Sequence, residues 1–394
     1  MKRSACVSTC WKMVRRVIPS ACVPELASSL ETGWALYAGS RTAERESMEN
    51  SVVTWGIALA VISGLMNGTF TLPMRYLGRW SWENVWTVFI AVACLLMPPA
   101  LFLTTVVHPL AVLSAAPRQA ELIAVATGFA WGFGAVMFGQ GVSALGISMA
   151  NTLVLAISAS LGSFLPILIL APERLRQPQG EFIMLGTAVA MLGIGSCGYA
   201  GRLRERSEKQ LPDAPRKMVG AARPLWAGLL LCSGAGLLSA VFNIGYSLSL
   251  GISASAVRMG NSPFAGSNVI WMLVLASGAV SNLGFCAYLF HKNRSWSNFR
   301  QARGGPLYAL AILMGLLWGG SIFVYGSAAP KLGKLGPAIG WPISLTVGLL
   351  TANFCGLLAG EWKLAQPTAR RWMAVGLAIL LCSIGILGWA GSLG

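Results

Sequence analysis

Ala130-Trp131-Gly132-Phe133-Gly134 lies inside a long apolar run, and Leu317-Trp318-Gly319-Gly320-Ser321 repeats it inside a second run. The match extends to later glycines in both copies: Gly139 with Gly326, Gly146 with Gly336, and Gly186 with Gly376. The offset is 318 − 131 = 187 at the tryptophans and 376 − 186 = 190 at the last glycines, so the register is kept over three apolar segments. A repeat made of apolar segments is typical of transporters built from two similar halves.

The composition is that of a membrane protein. Hydrophobic residues make up 55% of the chain and charged residues 11%, against roughly 25% charged in soluble domains. Because a helix of about 20 apolar residues spans the hydrocarbon core of a bilayer, we predict an all-α membrane protein with ten transmembrane helices. The predicted segments are 52–72, 84–107, 120–142, 146–170, 181–200, 225–250, 267–290, 306–328, 335–359 and 372–391.

The repeat also predicts how the halves are related. Segments three to five match segments eight to ten, so the repeating unit has five helices, and an odd unit enters the membrane from opposite sides in its two copies. We therefore expect two inverted five-helix repeats, at 48–200 and 225–394, joined by a basic cytoplasmic linker at 201–224. A weaker match between Gly64-Leu65 and Gly236-Leu237, each followed by a phenylalanine, supports this division.

The net charge of +16 would suggest nucleic acid as the partner of a soluble protein. Here most Lys and Arg lie in the odd-numbered connections between segments, with the largest group between 202 and 223. Because cytoplasmic loops are enriched in Lys and Arg, the charge indicates topology. We expect the odd-numbered connections in the cytoplasm, both ends of the ten-helix core outside, and no nucleic-acid partner.

Residues 1–47 lie outside this scheme. They combine basic residues and three cysteines with no apolar run long enough to span a membrane, and prolines interrupt any signal-like segment. We predict a poorly ordered extension and favour Met48 as the true start of the protein. The alternative is a basic segment that lies on the membrane surface.

No residue pattern of an enzyme is present. The predicted segments contain no Asp, Glu, Lys or Arg near their centres, although acid–base chemistry needs titratable groups that converge. The cysteines are scattered singly, and His108 and His291 lie near connections, so no metal or cofactor site is expected. A membrane enzyme and a non-transporting sensor remain minor alternatives.

The segments instead carry neutral polar and aromatic side chains, which suit a neutral polyol. Amides can donate to and accept from vicinal hydroxyls, and indole rings offer a flat apolar face to a sugar. An anionic substrate would require Arg or Lys, and a cationic drug a buried carboxylate. Any one of these residues could instead hydrogen-bond a neighbouring helix. The predicted substrate-binding residues are Trp131, Gln140, Asn151, Trp318, Tyr325 and Trp341.

Proton coupling would need a titratable group near the membrane. Glu83, Glu121 and Glu361 each lie at the end of a predicted segment, where a carboxylate can also be merely interfacial. Glu83 could pair with Arg75 or Arg79. We favour Glu83 as the coupling residue and leave the structural role open.

Several strings resemble the L-rhamnose–proton symporter family of the drug/metabolite transporter superfamily. They are Trp80-Ser81-Trp82-Glu83 with Trp86, Trp131-Gly132 with Gly139 and Leu145-Gly146, Asn282-Leu283-Gly284-Phe285-Cys286, and Glu361-Trp362. The likeness runs from about Trp55 to Trp389. The resemblance implies proton-linked uptake of a deoxy-sugar across the bacterial inner membrane by a ten-helix carrier.

The leading hypothesis is therefore symport of a neutral, L-rhamnose-like sugar with protons, by alternating access to a site between the halves. The alternative is an exporter of small metabolites or drugs on the same fold, driven by proton antiport.

Overall fold

The computed structural model describes residues 51–77, 80–145, 147–209, 224–300, 305–358, 360, 362–363 and 365–393. One compact unit runs from Val53 to Gly394, and a preceding unit, Met1–Val52, lies outside the described residues except for its last two positions. The predictions about residues 1–47 therefore concern a part of the chain that the structure does not describe.

Ten helices in the described part of the chain are long and apolar enough to cross a membrane, and each corresponds to one predicted segment. The prediction of an all-α membrane protein with ten transmembrane helices is thereby confirmed. The helices are α1 Ser51–Thr69, α2 Trp82–Thr105, α3 Arg118–Leu145, α4 Ile147–Leu170, α5 Pro178–Lys209, α6 Leu225–Leu248, α7 Pro263–Asn293, α8 Gly305–Ala328, α9 Gly336–Leu358 and α10 Pro367–Ser392.

Several helices extend beyond the apolar runs that predict them. Helix α7 begins at Pro263, because the Ser262 hydroxyl accepts a hydrogen bond of 3.1 Å from the Ala265 amide and a proline suits the first helical position. Helix α5 continues to Lys209, so the first part of the predicted linker at 201–224 is helical. Residues 210–223 of that linker lie outside the described residues.

Helix α2 changes its hydrogen-bond pattern midway. Ala91–Leu96 forms a π-helical segment, in which the Met97 amide donates to the Val92 carbonyl. Pro98 and Pro99 follow after Met97, and prolines lack the amide hydrogen that an α-helix needs. Such irregular segments are frequent at functional sites.

Helix packing recurs at the repeat offsets. Gly64 of α1 packs against α9, where an added Cβ would lie 2.5 Å from Val347 Cβ. Gly236 of α6 packs in the same way against α4, where an added Cβ would lie 2.8 Å from Ile157 Cβ. The glycines are 172 positions apart and their contact residues 190 apart. Helix α1 of the first half therefore packs on α9 of the second half, and α6 of the second half packs on α4 of the first half in the same way.

Candidate functional site

A cavity of about 190 Å³ lies among seven of the ten helices: α1, α2, α3, α4, α6, α8 and α9. Its lining is mostly apolar and aromatic, with a few neutral polar side chains and no Asp, Glu, Lys, Arg or His among the described residues that form it. The lining residues are Ser63, Asn67, Phe70, Trp86, Phe89, Ile90, Trp131, Gly134, Ala135, Phe138, Val154, Leu155, Ala235, Ser239, Phe242, Trp318, Ser321, Ile322, Tyr325, Trp341, Ser344 and Leu345.

The lining follows the internal repeat. Most of these residues form pairs at the offsets of 172, 187 and 190 that relate the two halves of the sequence. The pairs are 63 with 235, 67 with 239, 70 with 242, 131 with 318, 134 with 321, 135 with 322, 138 with 325, 154 with 344 and 155 with 345. The cavity thus lies where equivalent parts of the two halves meet.

The two repeat-equivalent tryptophans, which both line the cavity, stack on each other. The ring centroids of Trp131 and Trp318 are 5.2 Å apart and their planes differ by 8°. Trp131 also contacts Phe242 at 4.9 Å, and Trp318 contacts Phe89 at 5.7 Å. Because stacked rings cover one face of each indole, only the remaining ring surfaces are available to a ligand in this conformation.

A buried hydrogen-bonded cluster includes the lining residue Tyr325. The Tyr325 hydroxyl donates to Asn243 Oδ1 at 2.5 Å, and Asn243 Nδ2 donates to the carbonyls of Gly162 at 2.9 Å and Pro337 at 3.2 Å. Pro166 lies four residues after Gly162 and cannot supply the usual helical amide to that carbonyl. The proline in α4 therefore frees an acceptor that ties α4 to α6, α8 and α9.

The polar side chains of the cavity differ in how far they are already satisfied. The Ser63 hydroxyl donates to the Ser321 carbonyl and lies 2.8 Å from the Ser344 hydroxyl. Asn67 lines the cavity without a hydrogen bond to any described residue. Its amide therefore has donors and an acceptor available for a solute.

The structure brings together four of the six predicted substrate-binding residues. Trp131, Trp318, Tyr325 and Trp341 all line the cavity. Gln140 and Asn151 are not among its lining residues. Gln140 lies off the α3 face that carries Trp131 and Phe138, since its spacing from them does not follow the helical period, and Asn151 lies one turn closer to the start of α4 than Val154. Substrate binding by these six residues stays a prediction.

Glu83 is the only charged side chain that is buried among the described residues. It lies in the first turn of α2 and accepts hydrogen bonds from Asn293 Nδ2 at 3.0 Å and from the Ser295 hydroxyl. The described residues give it no Lys or Arg partner. Arg79, one of the two suggested ion-pair partners, and Glu361 lie outside the described residues, and so does the side chain of Arg75.

Glu83 is connected to the cavity through the next turn of α2. Trp86, three residues later, lines the cavity and donates from Nε1 to Asn282 Oδ1 of α7 at 3.0 Å. The rise of three helical residues is about 4.5 Å. Glu83 and Trp86 are thus both hydrogen-bonded to side chains of α7, and of these two residues Trp86 lines the cavity.

Sequence reasoning did not single out three of these contributors. Asn67 belongs to the neutral polar inventory of the spans, but nothing in the local pattern distinguishes it from an amide that bonds a neighbouring helix. Asn293 and Ser295 meet Glu83 across more than 200 residues of chain. Their position beside a carboxylate depends on tertiary packing and has no local signal.

Comparison with known proteins yields a family match over residues 48–392, to the L-rhamnose-proton symport protein family (RhaT). An L-rhamnose-proton symporter of Escherichia coli O1:K1 / APEC is 25% identical over 350 residues, which cover 86% of this chain and 98% of the relative. The L-rhamnose-proton symporter of Klebsiella pneumoniae (strain 342) is 26% identical with the same coverage. That of Citrobacter koseri is 24% identical over 348 residues, again covering 86% and 98%.

Proposed function

This chain belongs to the L-rhamnose-proton symport protein family, and we propose that it takes up L-rhamnose, or a closely similar neutral deoxy-sugar, together with protons. The chain is a multi-pass membrane protein of a transporter family and not an enzyme. In a bacterial cell this corresponds to the inner membrane. The comparisons do not favour the exporter that the fold also allows.

The observation that carries the proposal is the chemical character of the cavity. Its described lining combines aromatic rings with neutral hydroxyl and amide groups and contains no charged side chain. A charged substrate would have to leave water without a partner of opposite charge, which is strongly unfavourable at membrane depth. A sugar can place its C–H surface on the rings and its hydroxyls against Ser63, Asn67 and Ser344.

Transport is proposed to follow alternating access between two inverted repeats, residues 48–200 and 225–394. The pairing of lining residues at the repeat offsets supports this, because a site shared by equivalent elements can be reached from either side when the halves exchange conformations. The excess of Lys and Arg in the odd-numbered connections supports a cytoplasmic position for them.

Coupling to protons is proposed to occur at Glu83. Among the described residues Glu83 is the one buried carboxylate, and the side chains that donate hydrogen bonds to it there, Asn293 and Ser295, are both neutral. Its neighbour Trp86 lines the cavity and bonds α7, so the charge of Glu83 acts next to a helix contact that borders the substrate.

The experiment is to record external pH while L-rhamnose, and then a panel of sugars, is added to lightly buffered, de-energised cells that express the full chain. Alkalinisation on addition of a sugar, absent from cells without the protein, is expected for proton symport and identifies the substrate. No pH response to any sugar would contradict the proposal.

A further inference from the structure

Helices α5 and α10 run antiparallel and keep one register along their contact. An added Cβ on Gly193 of α5 would lie 2.7 Å from Leu380 of α10. Further along α5, the Ser196 hydroxyl donates to the Trp372 carbonyl at 3.0 Å, and the rings of Tyr199 and Trp372 lie 5.3 Å apart. Each step forward on α5 therefore corresponds to about one step back on α10, and the end of α5 lies beside the start of α10.

Basic side chains are concentrated at these adjoining ends. Arg202, Arg206 and Arg371 are exposed and form no ion pair with a described residue. Of the side chains that the structure describes there, Glu205 is the one carboxylate. The group, named here the basic cluster, consists of Arg202, Arg204, Arg206, Lys363, Arg370 and Arg371. Its positive charge is therefore largely available to an anion.

Two of these arginines are held in place by the connection between α9 and α10. The Arg204 guanidinium lies over the ring of the buried Trp362, with Cζ 5.1 Å from the ring centroid. Arg370 donates from Nε to the Trp362 carbonyl at 3.1 Å and from Nη2 to the Lys363 carbonyl at 2.6 Å. Because a guanidinium has five N–H donors, Arg370 keeps donors beyond these two. The basic cluster thus contains arginines that are already positioned before a ligand binds.

The basic cluster borders a face of α5 that is exposed on the outside of the helix bundle. Leu185, Leu192, Tyr199 and Arg206 follow each other at seven-residue spacing, which places them on one helix face, and all four are exposed. Seven residues correspond to a rise of about 10 Å. The face changes along the helix from aliphatic to aromatic to basic. In a bilayer, this order matches acyl chains, the interface where Tyr and Trp collect, and the headgroups.

We propose that the basic cluster binds the headgroup of an anionic phospholipid, whose acyl chains lie along the exposed face of α5. Arginine forks match phosphate oxygens in pairs, and basic pockets between transmembrane helices on the cytoplasmic side bind anionic lipids. The proposed topology places this end of α5 and α10 in the cytoplasm. The adjoining apolar face selects a lipid over a soluble phosphate, because it gives the acyl chains a surface to cover. A lipid bound there would connect α5 of the first proposed repeat with α10 of the second.

The test measures lipid binding to the full chain in detergent by native mass spectrometry. Phosphatidylglycerol and phosphatidylethanolamine with identical acyl chains are titrated, and the anionic lipid should bind with a Kd roughly tenfold lower. The triple variant Arg202→Gln/Arg206→Gln/Arg371→Gln should raise the Kd for phosphatidylglycerol by roughly tenfold or more, since each Lys or Arg near an anionic headgroup contributes about fivefold in affinity. Its Kd for phosphatidylethanolamine should stay within about twofold.

The matched control removes three other exposed charges on the same proposed side of the membrane. Lys292→Gln/Arg294→Gln/Arg300→Gln changes the end of α7 and the turn that follows it. This variant should keep the phosphatidylglycerol affinity of the unmodified protein. Arg206→Gln alone, with an expected loss of about fivefold, replaces the first triple variant if that protein is not obtained in folded form.

Three results would overturn the proposal. Equal affinity of the unmodified protein for the two lipids would mean that the headgroup charge is not recognised. An equal loss in both triple variants would mean that positive charge acts from anywhere on this side of the protein. Displacement of phosphatidylglycerol by inorganic phosphate at a similar concentration would mean that the face of α5 contributes nothing and that the occupant is not a lipid.

Discussion

Helices α2 and α7 make matching contacts in the two halves. An added Cβ on Gly315 of α8 would lie 3.0 Å from the Phe89 carbonyl of α2, and one on Gly128 of α3 would lie 2.1 Å from the Val274 carbonyl of α7. The glycines are 187 positions apart and the carbonyls 185 apart. The backbones of α2 and α7 are therefore placed alike relative to their neighbours.

Their side chains are nevertheless exposed to different degrees. Trp86 of α2 is partly exposed and lines the cavity. Trp271, its equivalent at an offset of 185, is fully buried and stacks on Tyr246 at 4.5 Å and on Phe242 at 5.2 Å. Equivalent elements are thus open in one half and packed in the other. This asymmetry supports alternating access. If the two halves exchanged conformations, Trp271 would be exposed and Trp86 packed, and the cavity would open on the α7 side.

Helices α2 and α7 also differ in the charge of an equivalent buried residue. At the offset of 185, Glu83 of α2 corresponds to Asn268 of α7, whose Nδ2 donates to Thr105 at 2.9 Å. One half has a buried carboxylate where the other has a neutral amide. We therefore expect proton coupling to depend on one half and substrate contact on both.

The largest effect is expected from removing the charge in the half that carries it. Glu83→Gln should abolish concentrative L-rhamnose uptake while sugar exchange continues, because an amide keeps an acceptor for Asn293 and Ser295 but cannot take up a proton. Uptake driven by an imposed pH gradient and counterflow in proteoliposomes measure the two activities separately.

The matched control is Glu181→Gln, which neutralises an exposed carboxylate in the first turn of α5 and should leave accumulation unchanged. If Glu83→Gln still accumulates L-rhamnose, proton coupling belongs to another group. The difference between Glu83 and Asn268 would then have no role in coupling.

The stacked tryptophans test whether both halves contribute to the substrate site. Trp131→Ala and Trp318→Ala should each raise the KM for L-rhamnose by roughly tenfold or more, as expected when an aromatic anchor is truncated. Trp131→Phe keeps an aromatic face and should have a smaller effect. The exposed Trp389 on α10 provides a control as Trp389→Ala.

Membrane insertion, measured by protein yield and monodispersity in detergent, must be retained in these variants for the comparison to count. An increase in KM for one tryptophan only would mean that the two halves do not share the site, and unchanged kinetics in both would exclude the stack from it.

The sequence predicts the ten helices and identifies Trp131 and Trp318 as equivalent mid-span residues, for a physical reason. A membrane span requires a continuous apolar run. A Trp-Gly pair at mid-span in both copies of the repeat indicates that a helix packs closely on a neighbour at the same place in each copy. The same reasoning is weaker for polar side chains. Gln140 is as polar as Asn67, but only Asn67 lies on a helix face that borders the cavity. That face is set by tertiary packing.

The equivalent glycines Gly128 and Gly315 should differ in how much an alanine substitution destabilises the protein. Gly128→Ala would place its methyl group 2.1 Å from a backbone oxygen of α7, whereas the approaches at Gly315 are longer, 2.7 Å to Val92 Cβ and 3.0 Å to the Phe89 carbonyl oxygen. We expect Gly128→Ala to cost roughly 1–3 kcal/mol and Gly315→Ala less, seen as the larger fall in the apparent Tm in detergent. Gly195→Ala, with no atom within 4 Å, should not lower it. Equal losses at Gly128 and Gly315 would contradict the difference between the two contacts.

The smallest effect is expected at a pair of polar lining residues. Asn67 and Ser239 are equivalent at the offset of 172, but Asn67 has no hydrogen bond to a described residue, whereas Ser239 accepts one from Ser158. Asn67→Ala should therefore raise the KM for L-rhamnose by about two- to tenfold, the value of a lost hydrogen bond, and Ser239→Ala by less. Initial uptake rates measure both, with Val136→Ser, a change on α3 outside the lining residues, as the control. A larger effect at Ser239 would mean that the sugar hydroxyls lie closer to α6 than to α1.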